Sequence, residues 1–141
     1  MITTKGRYAL RVMIDLAENG RGENIRLKDI AARQGISVKY LEAIMCELSK
    51  AGLLDAVHGK GGGYRLNRAP EDYTAYEILL AVETTLAPVS CLAGDENGCE
   101  RAEDCRTLKM WREYDALTRS FFQKYTLADL VLTGDGGNYV I

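Results

Sequence analysis

Residues 27–52 read LKDIAARQGISVKYLEAIMCELSKAG, and their pattern is the most informative in the chain about its fold. Apolar residues recur at helical spacing on either side of Gly35, which predicts one helix over 27–34 and a second that runs to about Ala51. Ser37 is the expected N-cap of the second helix, because a serine hydroxyl accepts a hydrogen bond from an amide of the first turn. Two helices joined by so short a turn predict a helix-turn-helix.

The inward faces of these two helices follow from the same spacing. The expected core residues are Leu27, Ile30, Ala31, Leu41, Ile44, Met45 and Leu48. Cys46 lies beside this stripe in the second helix, and we interpret it as a small core residue.

A glycine-rich hairpin is predicted directly after Gly52. The runs LLDAV (53–57) and YRLN (64–67) are typical of short strands, and HGKGGG (58–63) between them is typical of a turn. A hairpin in this position is the wing of a winged helix-turn-helix. The predicted fold class is therefore mainly α with a small β-hairpin wing.

Two further helices flank this module. Residues 4–18 predict a helix that ends at Asn19-Gly20. Its inward face is expected to comprise Leu10, Met13, Ile14 and Ala17, and its surface to carry Lys5, Arg11, Asp15 and Glu18. The run Thr74-Ala75-Tyr76-Glu77 matches a capping box, which predicts a helix over 76–84. Pro88 closes that element, and 89–104 are expected to form a polar loop.

A long aromatic helix is predicted over 107–124. Its apolar seam comprises Leu108, Trp111, Leu117 and Phe121, with Tyr114 and Phe122 beside it. Such a seam is too apolar to remain exposed, so we expect it to pack against a second copy of the chain. The alternative is that it packs on the first helix of its own chain. Residues 126–129 are expected to cap one last turn, and 133–141 to form a tail.

The chain is thus divided into three parts: a winged helix-turn-helix (1–84), a cysteine-containing segment (85–106), and a dimerisation helix with its tail (107–141). The charge is divided as well. Residues 1–68 carry 12 Lys/Arg against 7 Asp/Glu, a net +5, whereas residues 69–141 carry 6 against 13, a net −7. A basic N-terminal half is suited to contact with nucleic acid.

Other functional classes find little support. No run approaches the 18 apolar residues of a membrane span, and Arg11 and Asp15 interrupt the region where a signal peptide would have its apolar core. We therefore expect a cytoplasmic protein without membrane contact. A single histidine, with no nucleophile–base pair and no phosphate-loop pattern, indicates that the protein is not an enzyme.

The second helix of a helix-turn-helix enters the DNA major groove with its N-terminal part. That part offers hydroxyl and amino donors, whereas Glu42 is either an acceptor for a cytosine amino group or turned into an intrahelical pair. The start of the first helix can clamp a phosphate, and the glycine-rich tip can approach a groove closely. The candidate DNA-binding residues are Thr4, Lys5, Arg7, Ser37, Lys39, Tyr40, Glu42, His58, Lys60, Gly61, Gly62 and Gly63.

Three runs resemble the iron–sulfur cluster regulator (IscR) family of winged-helix repressors. They are TKGRYAL (4–10), the stretch from Ile30-Ala31 through Gly35-Ile36-Ser37 to Tyr40-Leu41-Glu42, and GKGGGYRL (59–66). The similarity covers nearly the whole chain. It implies a homodimer on an imperfect palindrome of double-stranded DNA, read by Ser37, Lys39, Tyr40, Glu42, His58 and the wing glycines. The family also includes cysteine-metabolism repressors that bind no cluster.

Three cysteines share one predicted loop. Cys91, Cys99 and Cys105 have the spacing C-x7-C-x5-C. Thiolates are the usual ligands of iron–sulfur clusters, so the loop predicts a cluster site, with a zinc site or unligated redox thiols as alternatives. Structural disulfides are not expected in a cytosolic protein.

The resemblance favours the cluster, with [2Fe-2S] preferred and [4Fe-4S] as the alternative. IscR-like members usually carry a histidine ligand three residues after the last cysteine, and Leu108 stands there in this chain. The fourth ligand is therefore open between the nearby Glu100, Glu103 and Asp104 and a carboxylate of the partner chain. We expect a repressor that senses cluster, redox or nitric oxide status. The alternatives are a clusterless regulator of cysteine metabolism or thiol oxidation, and a winged helix that binds only protein.

Overall fold

The computed structural model describes residues 2–94 and 100–131, and in these ranges the chain is mainly helical with one two-stranded antiparallel sheet. This arrangement confirms the expected fold class. The elements are α1 (Thr4–Asp15, continued as a π-helix over Leu16–Gly20), α2 (Leu27–Gln34), α3 (Val38–Lys50), β1 (Leu54–Val57), β2 (Gly63–Leu66), α4 (Ala75–Val82), α5 (Leu108–Lys124) and α6 (Leu127–Leu130). Short 3-10 turns occupy Pro70–Asp72 and Ser90–Leu92.

One hydrophobic core joins α1 to α4 with α6 and the base of the hairpin. The stripe predicted on α3 lies inside it. Its members, each 0% exposed, are Leu41, Ile44, Met45 and Leu48. Because burial of a large aliphatic side chain contributes about 1.5–3 kcal/mol, this stripe is a main reason why the helix-turn-helix keeps its shape.

The first helix differs from the expectation at its end and in its inward face. The helical backbone continues through Gly20 and stops at Arg21, whose φ of 48° is left-handed. The buried face is Ala9, Val12, Met13 and Leu16, whereas Leu10, Ile14 and Ala17 are half-buried at its edge. The buried face of α1 is shifted by one residue towards the N-terminus from the predicted face. α2, α3, α4 and α6 all pack against α1, so the covered surface is wider than a single stripe.

Asp15, expected on the surface, is buried, so that prediction is wrong. Its side chain is 1% exposed and accepts hydrogen bonds from Arg33 Nη2 at 2.7 Å and from Gln34 Nε2 at 2.8 Å. A buried carboxylate is tolerated when such charged and polar donors satisfy it. These bonds join α1 to the end of α2.

Cys46, expected in the core, is exposed, so that interpretation is also wrong. The buried stripe of α3 is narrow and includes Met45. One residue further along a helix is rotated by about 100°, which carries position 46 away from the core.

The hairpin is hydrogen-bonded to the rest of the module at two residues, Ile25 and Tyr73. Leu54 pairs with Leu66 and Val57 with Gly63 in the antiparallel sheet. β1 therefore begins one residue later than predicted and ends at Val57 as predicted, whereas both bounds of β2 lie one residue earlier than predicted. Ile25 and Tyr64 exchange two backbone hydrogen bonds of 2.9 Å. At the base, the buried phenol of Tyr73 donates to the Leu53 carbonyl at 2.8 Å, and burial raises the pKa of Tyr73.

The predicted single seam of α5 is divided between two faces. Leu108 is buried and Trp111 and Phe122 are half-buried on the side that carries the packing against α4. The opposite side carries the exposed residues Met110 (52%), Tyr114 (54%), Leu117 (69%) and Phe121 (48%). Positions 108 and 117 are about 180° apart around a helix, so no single partner surface covers both.

The last described element returns to the core. Thr126 and Asp129 form a capping box at α6, as expected for a final turn, and Leu127 is fully buried. The amide of Leu127 donates to the Tyr73 carbonyl at 2.9 Å, next to the start of α4. The capping box predicted at the start of α4 is also confirmed, although the helix spans Ala75–Val82. The predicted tail over 133–141 lies outside the described residues.

Candidate nucleic-acid interface and cysteine segment

The start of α3 presents a polar surface beside the turn. The Ser37 hydroxyl accepts from the Tyr40 amide at 3.2 Å, which confirms the expected N-cap and leaves the hydroxyl hydrogen free to donate. Ser37, Lys39 and Tyr40 are all exposed. Because Leu41 is buried directly behind them, this surface is held on the core.

Tyr40 is held from the side by α1. Its ring meets that of Tyr8 edge-to-face, with centroids 6.0 Å apart, and the Arg11 guanidinium lies 5.0 Å from the Tyr8 centroid. Arg11 Nη2 also donates to the Gln34 carbonyl at 2.9 Å, just before the turn. Edge-to-face pairs restrict ring orientation, so the contact with Tyr8 fixes the direction of the Tyr40 phenol.

Glu42 is exposed on the same helix. Of the two alternatives left open for it, the intrahelical ion pair is not formed in the part of the chain that the structure describes. The Glu42 charge does contribute to the raised pKa of Tyr64 on the wing, after burial as the larger cause. The Glu42 charge is therefore close enough to the wing to act on the Tyr64 phenol.

Some residues of the wing tip are exposed, whereas others are packed within the chain. His58, Lys60 and Gly61 are exposed, whereas Gly62 and Gly63 are half-buried. A Cβ on Gly63 would lie 2.3 Å from the carbonyl oxygen of Ile25, so a side chain there would break the docking of the wing. Gly63 is thus explained by packing within the chain.

The start of α1 holds its cations in different ways. Thr4 and Arg7 are exposed, and Arg7 Nη2 donates to Thr4 Oγ1 at 3.3 Å. Lys5, in contrast, forms an ion pair with Glu47 of α3. A phosphate would have to compete with that carboxylate for Lys5.

A groove of about 290 Å³ separates the wing from the start of α2. Its walls carry Arg26 and Lys28 on one side and His58 on the other. Neither Arg26 nor Lys28 is among the DNA-binding residues predicted from the sequence. Their position at the start of the first helix of the motif was the available signal, because that helix crosses the DNA backbone.

Two of the three cysteines of the segment lie in the described residues. Cys91, in the 3-10 turn Ser90–Leu92, and Cys105, shortly before α5, are free thiols and half-buried. Cys99 lies outside the described residues. Among residues 2–94 and 100–131, no three histidine, cysteine or carboxylate side chains are grouped as metal ligands.

The thiol of Cys105 is prepared for deprotonation. A hydrogen bond with the Thr107 hydroxyl, at 3.5 Å, lowers the pKa of Cys105, and backbone amides act in the same direction. The thiolate is the form that binds metal and acts as a nucleophile. The donor chemistry at this end of the segment therefore fits a cluster ligand.

Position 108, where the IscR-like pattern has a ligand, belongs to the packing of α5. Leu108 is 7% exposed. Glu100, Glu103 and Asp104 are exposed beside Cys105.

Within the described residues, none of the helices is both long and apolar enough to cross a bilayer.

Comparison with known proteins places this arrangement in a family. The Rrf2 family, described as an iron-dependent transcriptional regulator, matches residues 2–133. The regulator IscR of Aliivibrio salmonicida is 35% identical over 134 residues, which cover 95% of this chain and 79% of the relative. IscR of Escherichia coli is 36% identical over 130 residues, 92% of this chain and 79% of the relative.

Solved structures agree. IscR of T. potens has a TM-score of 0.70 and 34% identity over 92% of this chain and 85% of its own. CymR of B. subtilis, named the global cysteine regulator, has a TM-score of 0.69 and 35% identity over 92% of this chain and 95% of its own. With a capped helix-turn-helix, a docked wing and a family match over nearly its whole length, the chain belongs to the Rrf2 family of transcriptional regulators.

Proposed function

We propose that this protein is a homodimeric repressor that reads an imperfect palindrome of duplex DNA through α3, its recognition helix. The observation that carries the proposal is the exposed start of α3, where Ser37, Lys39, Tyr40 and Glu42 stand on a fully buried apolar stripe. Such placement presents fixed donors and acceptors to base edges. We place the protein in the cytoplasm, with its DNA, and assign it no enzymatic role.

Phosphate contacts would surround this reading surface. Lys60 and Gly61 at the wing tip, and Thr4 and Arg7 at the start of α1, are exposed cationic or hydrogen-bonding groups. The groove that contains Arg26, Lys28 and His58 extends the cationic surface between wing and α2. Phosphate contacts fix register and orientation, so these residues would position α3 on the duplex.

The dimer would form through the outer face of α5. Met110, Tyr114, Leu117 and Phe121 follow one another at intervals of four, three and four residues, and all are about half exposed or more. That interval is the heptad spacing of paired helices. A two-fold pair of recognition helices would then match the symmetry of a palindrome.

The cysteine segment would hold an iron–sulfur cluster, [2Fe-2S] in preference to [4Fe-4S]. Cys91, Cys99 and Cys105 would be its thiolate ligands, and the lowered pKa of Cys105 favours the thiolate form of that residue. A bound cluster would supply chemistry that responds to oxygen, nitric oxide or iron supply. Residues 85–106 join the reading module (1–84) to the dimerisation element (107–141), so their ordering would alter how two recognition helices are spaced.

A second candidate is a clusterless regulator of the same fold that reports cysteine or thiol status. It is favoured by the similarity to the cysteine regulator CymR and by the packing of Leu108 at the position where the IscR-like pattern has a ligand. In this case the thiols of the segment themselves would be the sensor.

Anaerobic purification with iron and sulfide analysis separates the two candidates. We expect coloured protein, with iron lost in Cys91→Ala, Cys99→Ala and Cys105→Ala and retained in Cys46→Ala, the matched control on α3. Equal iron content in all four variants would contradict the ligand assignment. Colourless, iron-free protein that still regulates would establish the second candidate.

DNA reading is tested by selecting duplexes from a random-sequence pool with wild-type protein. We expect a palindromic consensus and a steep fall of affinity with salt, because released counterions drive phosphate binding. Failure to enrich any sequence would contradict the proposed function.

A further inference from the structure

The buried carboxylate of Glu83 accepts hydrogen bonds from the residue that caps the start of α1. Glu83 ends α4, and its Oε1 accepts hydrogen bonds from the Thr3 amide and from the Thr3 hydroxyl, each at 2.8 Å. The same hydroxyl accepts from the Gly6 amide at 3.3 Å. The residue is only 9% exposed, so one side chain of α4 fixes the first turn of another helix.

This contact accounts for a glycine in the run that resembles IscR-like regulators. A Cβ on Gly6 would lie 2.3 Å from Glu83 Oε1, closer than atoms approach. The backbone at Gly6 is ordinary right-handed helix, where alanine has the higher helix propensity. Gly6 is therefore needed for the room it leaves to the carboxylate.

The same turn also contacts the recognition helix, through Lys5. Lys5 pairs with Glu47 of α3, and the second oxygen of that carboxylate is buried without a hydrogen-bond partner in the described residues. An incompletely satisfied carboxylate depends strongly on its one cation, so the place of Lys5 and that of Glu47 are linked. Glu83 and Glu47 thus both contact the start of α1, Glu83 at Thr3 and Glu47 at Lys5.

We propose that Glu83 is a positioning residue for DNA reading, which fixes the first turn of α1 and, through Lys5 and Glu47, the position of the recognition helix. Glu83 leaves α4 in extended backbone, two residues before the cysteine-containing segment begins at 85. A rearrangement of that segment would move Glu83 first, and α1 next. The inference rests on the proposed DNA-reading function, and it names the route by which the segment acts on α3.

Gly6→Ala tests the proposal, because the added methyl displaces the flexible end of Glu83 without removing any charge. We expect a folded dimer whose preference for a selected duplex over random duplex falls at least about fivefold, the lower end of typical couplings between sites. Gly20→Ala is the matched control, since its Cβ would meet only the end of the Ile25 side chain. Far-ultraviolet circular dichroism and thermal melting check the fold.

A double-mutant cycle distinguishes positioning from simple helix capping. Glu83→Gln keeps the shape and loses the charge; its effect on duplex preference is expected to shrink in the Glu47→Gln background, because the route is already broken there. Additive effects, or wild-type preference in Gly6→Ala and Glu83→Gln, would overturn the proposal.

These measurements use cluster-free protein. If the protein binds no cluster, the proposed cluster sensing is contradicted, but the role of Glu83 can still be tested. Failure of the wild type to select any duplex would defeat the proposed function instead. If the protein carries a cluster, Gly6→Ala is expected to keep wild-type iron content while the loaded and cluster-free forms differ less in duplex affinity. An undiminished difference would show that the segment acts by another route.

Discussion

The reading module and the cysteine segment are built in different ways. In the module, the α3 stripe is 0% exposed, and the helices carry side-chain caps at Thr3, Ser37 and Thr74. In the segment, none of the described residues 85–94 and 100–106 is buried, and its one helical piece is the three-residue turn Ser90–Leu92. A core sets the conformation of the module, whereas the described residues of the segment contribute no buried side chain to a core.

This difference suits the separate roles proposed for the two regions. A buried, capped helix keeps its own exposed side chains in a constant arrangement, as the proposed base reading requires, even when the helix as a whole is repositioned. Segments with few buried apolar contacts lie at the low-stability end of a protein and are the parts that a ligand can reorganise. The junction between the two regions, at Glu83, is then where a change in the segment would reach the module.

The largest expected effect is on sequence-specific DNA binding. Lys39→Ala combined with Tyr40→Ala should weaken binding to a selected duplex by about 2–6 kcal/mol, at about 1–3 kcal/mol for each base contact. Fluorescence anisotropy measures it, and iron content should stay unchanged if the two regions are separate. A parallel loss of iron would break the comparison.

Stability should divide between the regions in the same way. Ile44→Ala, in the α3 stripe, should lower the free energy of unfolding by about 2–5 kcal/mol, because it leaves a cavity in the core. Leu92→Ala, in the half-buried turn of the segment, should cost less than about 1 kcal/mol. Urea denaturation measures both, and similar costs would show that the segment shares the core.

The outer face of α5 should decide assembly. Leu117→Glu places a charge in the proposed dimer contact and should raise the dimer dissociation constant at least about 100-fold, equivalent to about 2.7 kcal/mol. Gln123→Glu, exposed on another side of the same helix, is the matched control. Sedimentation equilibrium measures both variants, and an intact Leu117→Glu dimer would place the interface elsewhere.

The smallest effect concerns the cap of α4. Burial raises the pKa of Glu77, but the Arg68 hydrogen bond at 2.9 Å and the bond from Thr74 outweigh it, so the pKa is lowered. A lowered carboxyl pKa stabilises the fold above the ordinary value of about 4.3, and this is lost as pH falls towards the folded-state value. Glu77→Gln should cost about 0.5 kcal/mol at pH 7, because the side chain is 39% exposed and screened.

Thermal melts at neutral and acid pH check the sign of this effect. The gap between wild type and Glu77→Gln should close below about pH 4, where the carboxylate is increasingly protonated. Glu71→Gln, which removes one exposed charge from the turn before α4, is the control. A gap that widens in acid would contradict the assignment.

The local elements could be predicted from the residues themselves. Ser37, Thr74 and Thr126 cap helices as their spacing predicts, and the apolar stripe of α3 is buried as expected. These features depend on hydrogen bonds and periodicity within a few residues of chain. The same holds for the glycine-rich hairpin, so the winged helix-turn-helix was determined by the sequence alone.

Features that depend on which helices meet could not be predicted in this way. Asp15 can be buried because Arg33 and Gln34 of α2 donate hydrogen bonds to its carboxylate. Gly6 is needed because the side chain of Glu83, at the end of α4, packs against it. Likewise, only packing against α4 separates the inner from the outer face of α5. Periodicity shows which face of a helix is apolar. The element that covers this face is set by contacts between residues far apart in the chain, and such contacts exist only in the folded molecule.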